Sequence, residues 1–423
     1  MNPIGKYKNF KHLLISLREI IKNRYPARNL VVIGITGTDG KTTTAHLTYE
    51  ILRKAGLKVA LISTVAAYLD NEIIDTGFHT TTPDARVLQP LFRKLVDRGV
   101  KYVVLEATSH GLDQHRLLGA NFWAGVLTNV SHEHLDYHKT IERYKAAKAK
   151  LFRGVKVAVL NRDDPSFDYF KARVPNNSRV ISYSVGHKAT LCATRLKLAN
   201  SGMTFSISES VKLHELETSL VGQYNVSNIL AAVGVARALK VTWPVIARAV
   251  KGFRGVEGRM ETVDNNRGLR ILIDFAHTPN ALQNLLETLS RLKGKGSRLI
   301  AVLGSAGERD FLKRPAMGEI AAKFADISIF TAEDPRSEDV NNIIDQMLEG
   351  AKKANNKHEY FRLPERGEAI KKAIDMAHKG DIVVICGKGH ERSMAYNGVE
   401  YLWSDQEAVK LALKGEVLKI EKS

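Results

Sequence analysis

A glycine-rich turn between an apolar run and a helical stretch is the feature that most constrains how this chain can fold. Residues 30–35 are apolar apart from one glycine, and residues 34–43 read Gly-Ile-Thr-Gly-Thr-Asp-Gly-Lys-Thr-Thr. Glycines in such a turn let backbone N–H groups close around phosphate oxygens, and the positive end of the following helix adds to the attraction. Lys41 can reach the β and γ phosphates, and the Thr42 hydroxyl can bind Mg²⁺. The pattern predicts a phosphate-binding strand–loop–helix unit, although Ile35 stands where the common P-loop has its first glycine.

Strand and helix patterns alternate through most of the chain. Such alternation implies α/β domains with largely parallel sheets that helices cover on both faces. Apolar runs predict strands at residues 30–35, 58–63, 102–106, 125–129, 269–274, 298–303, 327–331 and 382–386. Helical spacing predicts helices at residues 42–55, 225–239, 280–292 and 316–324. Short alternating segments at residues 190–220 predict a small antiparallel patch.

Length and one glycine-rich stretch indicate how the chain divides. At roughly 150 residues per domain, 423 residues predict two or three domains. Residues 251–259 read Lys-Gly-Phe-Arg-Gly-Val-Glu-Gly-Arg and mark the expected boundary. We expect an N-terminal helix and linker at residues 1–29. A P-loop-type α/β domain at 30–254 and a Rossmann-like α/β domain at 255–423 should follow.

Composition excludes several classes of protein. Only two cysteines occur, Cys192 and Cys386, which excludes a disulfide scaffold and favours a reducing, cytoplasmic setting. Lys and Arg number 63 and Asp and Glu 45, so the net charge is +18. The basic residues are spread along the chain, without the interleaved aromatic residues of nucleic-acid-binding segments. We interpret the charge as a general field that favours anionic ligands, and we expect no nucleic-acid partner.

The first 29 residues predict a helix rather than a targeting or membrane segment. No apolar run reaches the roughly 18 residues that a membrane span needs. Basic residues interrupt the apolar ones, which argues against a signal peptide. Helical spacing relates Phe10, Leu13, Leu14, Leu17, Ile20 and Ile21. We expect a short helix packed on the next domain, and a helix on a membrane surface is the weaker alternative.

Three polar segments lie at predicted strand ends or on a predicted helix. Glu106 ends a strand, where a carboxylate can hold Mg²⁺ with Thr42, although such a glutamate is often only solvated. Residues 128–138 contain three histidines, but their spacing is not that of a zinc site, and Mg²⁺ prefers oxygen ligands. Residues 144–152 carry three lysines, which by themselves predict a solvated basic helix face.

A series of short segments carries a resemblance to a known family. They are residues 37–43, 81–83, 106–116, 134–136, 144–152, 223–228, 258–261, 274–279, 307–310, 313–315, 334–336 and 387–391. In this order the chain resembles the Mur ligase family, and within it the UDP-N-acetylmuramoyl-tripeptide synthetases. The resemblance implies a central ATP-binding domain and a C-terminal domain that binds the incoming amino acid.

The resemblance also assigns residues to ATP and to metal ions. Lys148 occupies the position of the family's carbamylated lysine, and a CO₂-derived carbamate turns its amine into an oxygen ligand for a second Mg²⁺. The implied metal ligands are Thr42, Glu106, His134 and carbamylated Lys148, of which the last three, together with Lys41, form the catalytic set. The implied ATP-binding residues are Gly37, Thr38, Asp39, Gly40, Lys41, Thr42, Thr43, Asn225, Asn228, Arg259 and Asp274.

Two substrate sites follow from the same resemblance. The muramoyl-peptide residues are Thr81, Thr82, Thr108, Gln114 and Arg116, and Thr108 stands where serine is usual. The diamino-acid residues are Arg309, Glu333, Asp334, Pro335, Arg336, Gly387 and Glu391. Because a guanidinium pairs well with a carboxylate, Arg336 favours meso-diaminopimelate over L-lysine. Relatives usually read Asp-Asn-Pro-Arg where this chain has Glu-Asp-Pro-Arg, so the choice between the two amino acids stays open.

The implied activity is ATP-driven amide formation through an acyl phosphate, adding a diamino acid to a muramoyl-L-Ala-D-Glu precursor of peptidoglycan. A monomer is expected. Family members carry a domain of on the order of 90 residues before the ATPase core, which binds the uridine nucleotide, and 29 residues are too few for a domain. The chain is therefore truncated, served by a separate chain that binds uridine, or active on an acceptor that is not UDP-linked.

Three other functions stay open. They are a related ligase for a carrier that is not UDP-linked, a ligase like folylpolyglutamate synthetase, and an ATP-binding scaffold without ligase activity. Segments 334–336 and 387–391 argue against the folate-type ligase, because they match a diamino-acid pocket. A scaffold would bind ATP without any release of phosphate that depends on an amino acid.

Overall fold

The computed structural model describes residues 3–69, 72–74, 82–199, 202–354 and 359–420. Contacts divide the chain into two units, Met1–Arg254 and Gly255–Ser423. Among the described residues, no helix is both long enough and apolar enough to cross a lipid bilayer.

The first unit is built around one large sheet. Its strands are β1 Val31–Thr36, β2 Val59–Ile62, β3 Ala67–Leu69, β4 Glu72–Ile74, β5 Tyr102–Glu106, β6 Phe122–Leu127, β7 Val157–Asn161, β8 Arg179–Ser184, β9 Leu191–Ala199, β10 Gly202–Glu209 and β11 Lys212–Thr218. Its helices are α1 Pro3–Lys22, α2 Lys41–Lys54, α3 Ala85–Asp97, α4 Ser109–Asp113, α5 Leu135–His138, α6 Ile141–Ala149, α7 Phe167–Lys171, α8 Gln223–Ala238 and α9 Trp243–Gly252. Short 3₁₀ turns lie at Pro26–Asn29 and Lys150–Phe152. The strand order is β11-β10-β9-β8-β7-β6-β1-β5-β2-β3-β4.

Strand pairing confirms a mostly parallel sheet with an antiparallel patch. Strands β2, β5, β1, β6, β7, β8 and β9 pair in parallel. Strands β9, β10 and β11 pair antiparallel and continue the same sheet at one edge, where residues 190–220 predicted the patch. Strands β3 and β4 add an antiparallel extension at the other edge. It was not predicted, because three-residue strands are too short to show a clear alternation.

The N-terminal helix is packed on one side only. Ser16 and Ile20 are buried; the Ser16 hydroxyl donates to the carbonyl of His115 at 2.9 Å, and Ile20 lies against Gly119. Four other apolar residues of the helix stay exposed: Phe10, Leu14, Leu17 and Ile21. The helix therefore contacts the rest of the unit with only part of its apolar set, because these four residues lie on another side of it.

The second unit has its own, smaller parallel sheet, as predicted for a Rossmann-like domain. Its strands are β12 Glu261–Val263, β13 Arg270–Asp274, β14 Leu299–Leu303, β15 Ile327–Phe330, β16 Glu359–Arg362 and β17 Ile382–Cys386, with a separate hairpin of β18 Ser393–Tyr396 and β19 Val399–Leu402. Its helices are α10 Pro279–Leu292, α11 Lys313–Phe324, α12 Val340–Lys353, α13 Arg366–Met376 and α14 Asp405–Leu413. The order is β12-β13-β17-β14-β15-β16, and only β12 pairs antiparallel.

Helices α11 and α12 approach each other closely because each has a glycine at the contact. A Cβ atom on Gly318 would lie 1.8 Å from the carbonyl oxygen of Met347, and one on Gly350 would lie 1.7 Å from that of Pro315. No side chain fits at either position. The loops that precede these helices carry the Arg309 and Glu-Asp-Pro-Arg segments, so the helix contact holds those loops in place.

Replacing Gly350 tests this contact. Gly350→Ala is expected to lower the free energy of unfolding by about 1–3 kcal/mol, because an added methyl group must push the helices apart. Gly252→Ala is the matched control, since Gly252 also lies in a helix and nothing would lie within 4 Å of its Cβ. The control should be neutral or slightly stabilising. Chemical denaturation followed by circular dichroism measures both, and equal effects would contradict the close contact.

Candidate active site

Predicted functional residues of the first unit follow the carboxyl ends of three neighbouring strands. Strand β1 lies between β5 and β6 in the sheet. Strand β1 leads into the glycine-rich loop, β5 ends at Glu106, and β6 leads into Thr128. Ligands of open α/β sheets bind at the carboxyl ends of the strands, so the topology gathers these residues at the expected edge.

The glycine-rich loop has a conformation that requires glycine. The φ angle of Gly40 is 79°, and a Cβ atom there would lie 2.2 Å from Oδ1 of Asn228. Helix α2 begins at the next residue, Lys41. The Lys41 ammonium donates to the carbonyls of Gly37 at 3.1 Å and Thr38 at 2.7 Å. The loop is therefore an open cradle at a helix N-terminus with a cation beside it, which fits a chain of phosphates.

Residues after strand β6 hold the loop in place. The Thr128 hydroxyl donates to the carbonyl of Asp39 at 2.6 Å, and the side-chain oxygen of Asn129 accepts the Asp39 N–H at 2.9 Å. The hydroxyls of Thr38 and Tyr144 lie 3.1 Å apart. Thr38 is thus held by Tyr144, and Asp39 by Thr128 and Asn129. Thr43 lies in the first turn of helix α2.

Thr42 and Glu106 meet in the interior of the unit. The Thr42 hydroxyl donates to Glu106 at 3.1 Å, and Thr64 donates to the same carboxylate through its N–H at 3.0 Å and its hydroxyl at 3.1 Å. Glu106 is fully buried. The alternative that Glu106 is only a solvated glutamate at a strand end is therefore wrong. Hydroxyl and carboxylate oxygens are the ligands that Mg²⁺ prefers, so the pair fits one ion.

Lys148 is a buried amine beside the loop. It is 1% exposed, so the prediction that the three lysines of residues 144–152 form a solvated helix face is wrong for Lys148. Its Nζ donates to the carbonyl of Gly37 at 2.7 Å, and that oxygen also accepts from Lys41. Burial, and then the charge of Lys41, hold the pKa of Lys148 well below its usual value. A neutral amine is the form that reacts with CO₂, so the surroundings fit a carbamate.

His134 and Lys148 both lie beside the ring of Tyr144. The rings of His134 and Tyr144 have centroids 6.3 Å apart, and Lys148 Nζ lies 4.3 Å from the centre of the same tyrosine ring. His138 is buried with Nε2 3.0 Å from the hydroxyl of Ser109, and burial lowers its pKa to about 4, which keeps it neutral. In the part of the chain that the structure describes, no three His, Cys, Asp or Glu residues group in a way that could hold a metal ion. Imidazole and carboxylate groups of the described residues therefore do not form a metal site by themselves.

Most of the predicted muramoyl-peptide residues lie together. The hydroxyls of Thr82 and Thr108 are 2.8 Å apart, and Arg116 donates to the carbonyl of Thr82 at 3.3 Å. The amide of Gln114 donates to the hydroxyl of a tyrosine in α5 at 3.3 Å. Thr108 is also the N-cap of helix α4, which explains why a hydroxyl residue is needed there. Thr81 lies outside the described residues.

The predicted ATP residues are divided between the units. Asn225 and Asn228 are buried in helix α8 of the first unit and bond to each other at 3.1 Å. In the second unit, the carboxylate of Asp274 accepts two backbone N–H groups at 2.7 and 2.8 Å. The guanidinium of Arg259 lies 4.4 Å from the ring centre of Phe275. Each pair is ordered within its own unit.

Glu333 is a buried carboxyl at the strand ends of the second unit. Burial raises its pKa to about 7, against the charges of Lys313, Arg366 and Lys388. Its Oε2 has no hydrogen-bond partner among the described residues. Gly387 lies directly beside it, since a Cβ there would be 2.5 Å from that oxygen. Any residue larger than glycine at position 387 would therefore come too close to this carboxyl oxygen.

Asp334 and Glu391 share a buried lysine. Lys388 Nζ donates to Asp334 at 3.0 Å and lies 2.6 Å from Glu391. Burial opposes the charge of Lys388, but the two carboxylates outweigh it and raise the pKa of the lysine. The backbone N–H of Ala395 also donates to Asp334 at 2.9 Å. The carboxylate of Asp334 is therefore paired within the protein.

The two predicted arginines stand on neighbouring loops. Arg336 has a φ of 56°, and its N–H donates to the carbonyl of Ala395 at 3.0 Å. The exposed Arg309 follows Gly307, where a Cβ would lie 2.0 Å from the carbonyl oxygen of Pro335. The loop of Arg309 thus touches the Glu-Asp-Pro-Arg segment.

Three residues that sequence reasoning did not single out belong to these sites: Thr64, Tyr144 and Lys388. Thr64 comes two residues after strand β2, so the strand-end rule that selected Glu106 could have found it. Tyr144 and Lys388 lay inside matching segments, but nothing local marks them. Their contacts join residues far apart in sequence, 106 positions for Tyr144 with Thr38 and 54 for Lys388 with Asp334.

Comparison with known proteins bears on the same segments. Residues 35–236 match the family model of the Mur ligase middle domain, and residues 258–389 match that of the Mur ligase, glutamate ligase domain. A UDP-N-acetylmuramoyl-L-alanyl-D-glutamate–2,6-diaminopimelate ligase from Bacillus licheniformis is 39% identical over 97% of this chain and 84% of that protein. The ligase of the same name from Aquifex aeolicus is 41% identical over 92% of this chain and 79% of its own length.

Solved structures of other proteins also resemble this chain. A structure of a UDP-N-acetylmuramoyl-L-alanyl-D-glutamate–2,6-diaminopimelate ligase is 34% identical, covers 91% of this chain and 78% of that one, and has a TM-score of 0.63. Mycobacterium tuberculosis folylpolyglutamate synthase complexed with ADP has a TM-score of 0.73 over 89% of this chain and 92% of its own. At 17% identity the second likeness is one of fold alone. From the family models and the relatives together, the chain belongs to the Mur ligase family.

Proposed function

We propose that the chain is an ATP-dependent ligase that adds meso-diaminopimelate to a muramoyl-L-Ala-D-Glu peptide in peptidoglycan synthesis. The observation that carries the proposal is the buried amine of Lys148, held against the phosphate loop with a lowered pKa. A structural lysine would pair with a carboxylate, whereas this one shares a carbonyl with another cation. Relatives that carry the diaminopimelate ligase name are similar over nearly the whole chain.

The proposed chemistry has two steps. First, the γ-phosphoryl group moves from ATP to a carboxylate oxygen of the peptide and ADP leaves, because a free carboxylate is a poor electrophile. The amine of the diamino acid then attacks the carbonyl carbon, loses a proton, and displaces phosphate as the C–O bond breaks. Lys41 would neutralise charge on the phosphates during the first step. Thr82, Thr108 and Arg116 would orient the peptide.

Mg²⁺ fits the donors that the first unit offers. Thr42 and Glu106 supply oxygen atoms for one ion, and His134 with carbamylated Lys148 would hold a second. Bound Mg²⁺ would neutralise phosphate charge and act as a Lewis acid. A carbamate on Lys148 would place a negative charge beside the cation of Lys41, where the lowered pKa of Lys148 disfavours a second positive charge.

The remaining assignments are part of the same proposal. Residues 30–254 would bind ATP and the peptide, residues 255–423 would bind the diamino acid, and residues 1–29 would be a linking helix. A reducing, cytoplasmic setting fits the two free cysteines, and the enzyme would act as a monomer.

Phosphate release tests the proposed function directly. The purified chain is given ATP, Mg²⁺ and UDP-MurNAc-L-Ala-D-Glu with meso-diaminopimelate, with L-lysine, or with no amino acid, and a parallel series uses MurNAc-L-Ala-D-Glu without the nucleotide. We expect diaminopimelate to stimulate phosphate release and mass spectrometry to show a product heavier by one residue. Bound ATP with no stimulation by either amino acid would contradict the ligase.

Lys148 gives a sharper test of the site. Lys148→Ala is expected to lower kcat about 100-fold or more, on the scale of losing one preorganised electrostatic group, and added acetate or formate should restore part of it. Lys145→Ala on the same helix is the control and should keep its activity. Labelled ¹³CO₂ gives a readout independent of turnover, because only proteins with Lys148 should show a carbamate signal by NMR. Full activity of the Lys148 variant would rule out the carbamate.

Glu333 predicts a pH dependence of amino-acid binding. With a pKa raised to about 7, the folded protein keeps this carboxyl protonated below that pH and ionised above it. An ionised carboxylate attracts the ammonium group of the diamino acid, so KM for diaminopimelate should fall as pH rises from about 6 to about 8. Glu333→Gln should remove this dependence, and Glu359→Gln, at an exposed position, should keep it.

Stability gives the second readout for Glu333. The folded state binds one more proton than the unfolded state between pH 4.5 and about 7, so this group's contribution to stability is lost as pH rises through that window. Denaturation of the Glu333→Gln variant should show a flatter pH profile there. Unchanged profiles of both KM and stability would refute the assignment of the raised pKa.

A further inference from the structure

Helix α1 exposes two parallel rows of side chains. The apolar row consists of Phe10, Leu14, Leu17 and Ile21, which are 57%, 51%, 44% and 61% exposed. The basic row beside it consists of Lys11, Arg18 and Lys22, all exposed. The apolar residues are spaced by four, three and four positions, which places them in one line along the helix.

The opposite side of the helix is already used. Ser16, Glu19 and Ile20 are buried, and Ile20 packs against Gly119. Glu19 is the one acidic residue in the α1 sequence, so the exposed side of the helix carries basic charge only. The two rows therefore form a surface that this unit itself does not cover.

The geometry of the apolar row favours a helix as its partner. Spacing of four and three is that of the a and d positions of a coiled coil, with Leu14 and Ile21 at a and Phe10 and Leu17 at d. The row is one side chain wide. Helices that lie on membranes bury a broader apolar face, so a bilayer is the less suitable occupant.

The basic row decides the charge of that partner. Lys11 and Arg18 fall at e positions, which pair with flanking residues of the facing helix. In an antiparallel pair of two copies these cations would face each other. In a parallel pair they would face Leu13 and Ile20. A partner with acidic flanking residues avoids both arrangements.

We propose that the exposed row of α1 binds an amphipathic helix of another chain, with an apolar seam flanked by glutamate or aspartate. The proposal does not depend on the ligase function. It assigns the basic charge of helix α1 to recognition of a partner chain. The phosphate loop is a separate site, at the carboxyl edge of the sheet.

Three labelled peptides of 21 residues test the proposal against the full chain by fluorescence anisotropy. The first has leucine at a and d and glutamate at e and g, the second has lysine at e and g, and the third has the composition of the first with its leucines scrambled. We expect the first to bind at least about tenfold more tightly than the others, since seam and charge must both match. Equal binding of the scrambled acidic peptide would overturn the proposal, because the net charge of +18 would then account for the binding.

Matched variants locate the binding surface. The double variant Leu14→Ser and Leu17→Ser should lose at least about tenfold in affinity for the first peptide. The control pair Leu198→Ser and Leu213→Ser alters leucines of similar exposure, 49% and 48%, on strands β9 and β11, and should bind as the unchanged chain does. Lys11→Glu with Arg18→Glu should transfer the preference to the lysine peptide. Circular dichroism checks that each variant is folded.

Two other results would also overturn the proposal. Size-exclusion chromatography with light scattering would reveal a dimer that Leu14→Ser and Leu17→Ser dissolve, if a second copy covered the row. Vesicles of phosphatidylglycerol and phosphatidylcholine would bind the chain through Leu14 and Leu17, without affinity for the first peptide, if a membrane covered it.

Discussion

Two lysines donate to one carbonyl oxygen, that of Gly37. The arrangement of the first unit depends on how the repulsion between their two amines is reduced. Lys41 comes from the start of α2 and Lys148 from α6, at 3.1 and 2.7 Å from that oxygen. Two charged amines so close repel each other, and one of them is fully buried, so the cost of charging Lys148 is high. Burial and the charge of Lys41 lower the pKa of Lys148 well below its usual value, which disfavours a second positive charge beside the cation of Lys41.

The contact exists because strands β1 and β6 are neighbours in the sheet and end at the same edge. Strand β1 supplies the loop, β6 supplies Thr128, which fixes the carbonyl of Asp39, and α6 follows the segment after β6. Tyr144 completes the arrangement, since its hydroxyl reaches Thr38 and its ring lies beside Lys148. A change in any of these elements would alter the distance between the two amines and, with it, the charge beside the phosphate loop.

Sequence reasoning succeeded where the pattern is local. Residues 102–106 and 382–386 were predicted as strands and match β5 and β17, because buried parallel strands are continuous apolar runs. The glycine-rich loop was predicted for the same reason, since its chemistry lies within ten consecutive residues. The burial of Lys148 was not visible in its lysine-rich helix, because its bond to Gly37 spans 111 positions. The exposed row of α1 was missed because helical spacing shows which residues align but not which face a neighbour covers.

The second unit shows how one replacement is absorbed by contacts at long range. Asp334 adds a negative charge where the family resemblance implies asparagine, but Lys388 pairs with it at 3.0 Å and with Glu391 at 2.6 Å. With Glu333 protonated, these four side chains carry one net negative charge, and with Glu333 ionised they carry two. Arg336 lies outside this balance on a backbone in the left-handed region. A zwitterionic side-chain terminus would find an acidic group and a guanidinium on adjacent segments, so the aspartate is compatible with a diamino acid that also bears a carboxylate.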